Sequence, residues 1–85
     1  MHLRIFVTLK AGVLDPEGQA VARSLRQLGY DEIEAVRVGK SFEIEFDHDD
    51  PQLAMDRARR MCEQLLANPV LEDYEIVLPD EMRSL

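Results

Sequence analysis

The sequence predicts an α+β fold, a two-layer sandwich in which an antiparallel sheet of three or four strands carries two helices on one face. Three observations lead there. Segments of period-two hydrophobicity open, interrupt and close the chain, two segments of helical periodicity lie between them, and 85 residues leave room for one core. Residues 1–79 are read as a single domain and 80–85 as a short C-terminal tail.

Leu3, Ile5, Val7 and Leu9 alternate with His2, Arg4, Phe6, Thr8 and Lys10, the pattern of a half-buried strand. Asp15-Pro16-Glu17 then supplies a capping carboxylate, a proline at the first helical position and an acid beside the positive helix end. Val21, Ala22, Leu25 and Leu28 form the apolar stripe of the helix that follows, and Gly29 stands where a left-handed cap closes it.

Val36, Val38, Phe42, Ile44 and Phe46 share one parity across Gly39-Lys40-Ser41. Two geometries keep these side chains on one face: a hairpin with a three-residue loop, pairing Val38 with Phe42, or one long strand bent at Gly39. Both stay open from sequence. Asp50-Pro51 repeats the helix-start pattern, and Ala54, Met55, Ala58, Met61, Cys62, Leu65 and Leu66 make the second helix amphipathic. Asn68-Pro69 ends it, asparagine tolerating a left-handed cap and proline being unable to continue the ladder. Glu72 to Leu78 reads as the last strand, with Tyr74, Ile76 and Leu78 on one face. This order suggests a relative of the ferredoxin-like split βαβ arrangement, whose open sheet face would carry Phe6 and Val77.

A formal net charge of −7 and a pI of about 4.7 oppose non-specific attraction to phosphate backbones and anionic lipid. The lone cysteine, Cys62, cannot form an intramolecular disulfide, and no cationic leader precedes an apolar run, so a cytoplasmic location is expected. No apolar run approaches the roughly 20 residues that span a bilayer. So short a chain buries a modest fraction of its surface, which favours self-association.

The residues offer no catalytic constellation. Asp47-His48-Asp49-Asp50 clusters three carboxylates and an imidazole, but the acids precede a proline-started helix and suit capping better than a metal. Cys62 sits on an apolar stripe, the ordinary place of an inert thiol. Gly12, Gly18 and Lys10 flank a helix start without the spacing of a phosphate-binding loop. Lys10, Arg37 and Lys40 stand at strand ends and turns of an acidic chain, where solvated charge and partner contact are competing readings; Tyr74 is either rim of the core or interfacial.

Val7-Thr-Leu-Lys10, Gly12-Val-Leu-Asp-Pro16, Gly18, Leu28-Gly-Tyr30, Val36-Arg-Val-Gly-Lys40, Cys62 and Leu65-Leu-Ala-Asn-Pro69, in this order, resemble the PurS family. Ala11, where proline is common, and Ser41-Phe42, in place of a frequent tyrosine-containing pair, are mild departures. The resemblance implies a PurS-like fold and a non-catalytic accessory subunit of phosphoribosylformylglycinamidine synthase, the glutamine-dependent, ATP-using ligase of purine biosynthesis. It implies synthetase (PurL-like) and glutaminase (PurQ-like) partners, ammonia transfer between them, and self-association as a dimer or tetramer. ATP, magnesium and glutamine would be used by the complex, with no cofactor or metal held by this subunit. Lys10, Arg37, Lys40, Phe6 and Val77 are the expected partner-contact residues.

Three rivals are weighed. An acylphosphatase-like enzyme needs an arginine in the loop after the first strand, which Ala11 to Leu14 does not provide. An RNA-binding sheet needs more exposed aromatics than Phe6. A small regulatory ligand-binding module of ACT type, with its site at a dimer interface, leaves little signal and is the alternative carried forward.

Overall fold

The computed structural model describes residues 1–78, so Pro79 and the tail expected at 80–85 lie outside the described residues. Strand β1 (His2–Leu9) is followed by helix α1 (Pro16–Gln27), strand β2 (Lys40–Glu45), helix α2 (Pro51–Met61) with a π-helical turn over Cys62–Leu66, and strand β3 (Glu72–Val77). The sheet is three-stranded and antiparallel, with β1 in the centre in the order β2-β1-β3. The predicted α+β class is what forms.

Alternation in β1 dictates the core. Leu3, Ile5 and Val7 are fully buried, with Ile44 and Phe42 of β2 and Ile76 and Tyr74 of β3 in register beside them. Ala54 and Ala58 of α2 and Cys62 at the start of the π turn, spaced i, i+4, i+8, close over that face. Small side chains at these positions let the helix backbone lie near the sheet, so Leu3, Ile5 and Val7 fill the space between the layers.

The π turn explains a departure from the expected stripe. The Ala67 amide donates to the Cys62 carbonyl at 3.0 Å, a wider turn than the α-helical one, which rotates the chain so that Ala67 is buried while Leu65 is 83% exposed. The turn that follows also differs from expectation. Among the described residues no non-glycine residue has positive φ, so Asn68 is not a left-handed cap. Its side-chain oxygen accepts from the Val70 amide at 3.0 Å and its carbonyl accepts from the Glu72 amide at 2.7 Å, and this side-chain turn delivers the chain into β3.

Helix α1 begins and ends as predicted, with Asp15 at its N-cap and Gly29 at φ 106° just beyond it. It does not join the core cluster. Ala22, its buried apolar residue, faces the segment 33–38, and Arg26 donates to the carbonyls of Ile33 at 3.0 Å and Glu34 at 2.9 Å. Gly18 makes the approach possible, since a Cβ there would stand 2.2 Å from the Val36 carbonyl oxygen. The helix and the segment beside it form an arm, and the described residues extend over 48 × 29 × 16 Å. Their radius of gyration is 15.9 Å, where a compact chain of this length has about 12 Å.

The arm also settles the geometry at Gly39. Residues 33–39 enter β2 as one run, and only Lys40–Glu45 joins the sheet; Phe42 pairs with Ile5 of β1, so the hairpin does not form. Gly39 is needed where it stands because a Cβ would lie 2.7 Å from the Val7 carbonyl oxygen.

Two outcomes follow for stability. Ala58→Leu overpacks the helix–sheet layer and is expected to cost about 1–3 kcal/mol, read as a lower urea midpoint with unchanged slope. Gly18→Ala forces helix and segment apart: amide hydrogen exchange should accelerate in residues 19–38 while the β1 amides keep their protection.

Candidate functional site

Asp15 is where the arm meets the sheet. One carboxylate oxygen accepts from the Gly18 amide at 2.8 Å, capping α1, and the other accepts from the Val38 amide at 2.9 Å, tying down the far side of the arm. Arg37 reaches back to donate to the Leu9 carbonyl at the end of β1. The Val38 amide, then the Gly18 amide, and to a smaller extent the Arg37 charge hold the Asp15 carboxyl below the usual carboxylate range. Val7, Leu9, Pro16, Val38 and Lys40 line a cleft of about 420 Å³ at this joint.

The expected contact residues divide into two groups. Lys10, Arg37 and Lys40 come together at this end of the sheet, each with an intramolecular partner. Lys10 pairs with Asp73 at 2.6 Å, and Lys40 lies 3.9 Å from Glu72 and 5.8 Å from the centre of the Phe42 ring. Phe6 and Val77 lie on the open sheet face, where Phe6 is half-buried and Val77 is buried beside Arg4. Tyr74 is exposed at the rim.

The other chemistry-bearing residues are engaged in structure. Asp50 accepts from the Gln52 and Leu53 amides and caps α2, His48 Nδ1 accepts from the Asp50 amide at 3.1 Å, and Asp49 pairs with the N-terminal amine at 3.1 Å. Cys62 is fully buried; burial, then the neighbouring Glu63 charge, push its thiol up, away from the thiolate that a nucleophile requires.

What sequence reasoning missed is a surface. Leu14 (65% exposed), Val21, Leu28 (75% exposed) and Tyr30 present apolar side chains along the arm. Beside them, among the described residues, the backbone amides of Glu34, Ala35, Val36 and Arg37 have no hydrogen-bond partner. An unpaired backbone run flanked by apolar side chains is the template for a strand supplied by another chain. Gly18 was the available signal, because a glycine inside a helix marks a close approach and here leads to Val36. A second apolar group, Leu65, Val70 and Leu71, stands around the turn after α2.

The geometry is that of a contact module, and comparison with known proteins agrees. A family profile described as phosphoribosylformylglycinamidine (FGAM) synthase, PurS, matches residues 2–80. The PurS subunit of that synthase from Synechocystis sp. is 49% identical over 73 residues, covering 86% of this chain and 73% of the relative. Among solved structures, PurS from Methanocaldococcus jannaschii, described as a subunit of formylglycinamide ribonucleotide amidotransferase, superposes with a TM-score of 0.79 at 36% identity, covering 88% of this chain and 90% of that one. A chain in the PurLQS structure from Thermotoga maritima superposes with a TM-score of 0.79 at 33% identity, covering 88% and 92%. By sequence along nearly its whole length and by fold, the chain belongs to the PurS family.

Proposed function

We propose that this protein is the small accessory subunit of phosphoribosylformylglycinamidine synthase, bridging the synthetase and glutaminase subunits so that ammonia released from glutamine reaches formylglycinamide ribonucleotide. The observation that carries this reading is the match over residues 2–80 to the family of that subunit. The fold supports it: the cysteine is buried in the core, Asp50 caps α2 and Asp49 pairs with the N-terminal amine, and the free surfaces are apolar and backbone edges suited to protein contact. The catalytic groups, ATP, magnesium and glutamine belong to the partners, and the complex works in the cytoplasm.

Self-association uses the arm. A second copy laid antiparallel along residues 33–38 pairs with the open amides on the outer edge of both copies and covers Leu28 and Tyr30, as the two-fold symmetry of a dimer requires. Lys10, Arg37, Lys40 and Phe6 remain the proposed contacts with the larger subunits, while Val77, expected among them, is buried and supports the sheet face from within.

Synthesis of formylglycinamidine ribonucleotide by purified synthetase and glutaminase, with and without this protein, checks the role. Glutamine-driven synthesis is expected to require the protein and ammonium-driven synthesis to proceed with little dependence on it; indifference in both reactions, or saturable amino-acid binding by the isolated protein, would favour the ligand-binding module. Cys62→Ala should leave glutamine-driven synthesis within about twofold, because a buried protonated thiol contributes no nucleophile. Leu28→Glu should lower the sedimentation coefficient of the isolated protein toward that of a monomer by placing charge at the copy–copy contact.

A further inference from the structure

The basic residues of this acidic chain are mostly engaged: Lys10, Lys40, Arg4 and Arg59 lie beside carboxylates, and Arg26 and Arg37 donate to carbonyls. Among the described residues, Arg23 of α1 and Arg57 and Arg60 of α2 have no such partner, and the last two stand together, one turn apart on the outward side of α2. The nearby carboxylate of Asp56 is taken by Arg59 and Gln52, each at 3.4 Å. Leu53, one turn before Arg57, is exposed, and these side chains border a shallow concavity of about 400 Å³. The opposite side of the same helix is locked to the sheet through Ala54, Ala58 and Cys62, so the row stands on a rigid element. Arginines beside an apolar side chain on a fixed scaffold have the make-up of an interaction hot spot.

Resting on the accessory-subunit reading, we propose that the Leu53–Arg57–Arg60 face of α2 docks an acidic surface of one of the larger synthase subunits. Charge selects this occupant. A second copy placed on the row across a two-fold axis would set arginine against arginine, and the apolar arm already provides the copy–copy surface. A nucleic acid presents phosphates over many ångströms and would meet the field of a chain with net charge −7. A carboxylate cluster on a folded partner meets only the local charge, because salt screens beyond about 8 Å at physiological ionic strength.

The test is glutamine-driven synthesis at fixed synthetase and glutaminase, titrated with wild type, Arg57→Glu/Arg60→Glu, the milder Arg57→Gln/Arg60→Gln, and Arg57→Lys/Arg60→Lys. The charge-reversed variant should need at least about tenfold more protein for half-maximal rate at low salt, the glutamine variant an intermediate excess, and the lysine variant an amount within about threefold of wild type. Added salt should weaken wild type and improve the reversed variant, whose repulsion it screens, so that the two titrations converge. Circular dichroism melts should agree among all four, since both arginines are exposed.

Equal titrations for wild type and both charge-altered variants overturn the docking face and leave the accessory role standing. A wild type that restores nothing overturns both. A reversed variant that differs from wild type in its own sedimentation assigns the row to a second copy, and loss of measurable wild-type affinity for a fluorescent single-stranded oligonucleotide assigns it to nucleic acid; either contradicts the proposal.

Discussion

The carboxylate of Asp15 joins the two parts of this protein. It accepts one hydrogen bond from the first turn of α1 and one from the strand-like segment on the other side of the arm, so a single side chain sets where the apolar surface stands relative to the sheet. Both are short bonds to a charged acceptor, the stronger kind. Gly18 and Gly39 complete the joint by removing the side chains that would keep the backbones apart. The sheet and α2 supply the stability that holds this geometry in place.

That division of labour accounts for the composition. One layer of core, built from Leu3, Ile5 and Val7 against Ala54, Ala58 and Cys62, occupies the sheet end of the molecule. The arm contributes little to it and exposes Leu14, Leu28 and Tyr30, which an isolated small domain would be expected to bury. Such surfaces are stable in a protein that functions within an assembly, where the burial missing from the monomer is completed by other chains. The groups capable of chemistry are accordingly engaged in caps and core, as Asp15, Asp50 and Cys62 are.

Much of this was legible in the residues. The alternation of β1, both Asp-Pro helix starts and the glycine cap at Gly29 are local signals with local causes, and they formed as read. The partnership of α1 with residues 33–38 was not, because Val21, Ala22, Leu25 and Leu28 give the same helical period whether the stripe faces a sheet, a lone segment or another copy. The π turn escaped for a similar reason: Leu65 fits the stripe, and the extra residue per turn is set by how Ala67 and Asn68 feed β3. At the candidate site, Lys10, Arg37 and Lys40, expected at strand ends and turns, converge at one end of the sheet, whereas the unpaired arginines of α2 stand out only once the structure shows the partners of other cations.

The most direct test of the account is sedimentation of the synthetase and glutaminase subunits together, in the presence of glutamine and nucleotide, with and without this chain. An accessory bridge predicts one heavier boundary containing all three proteins and separate boundaries when this chain is omitted. Two large subunits whose boundaries are the same in both mixtures would contradict it.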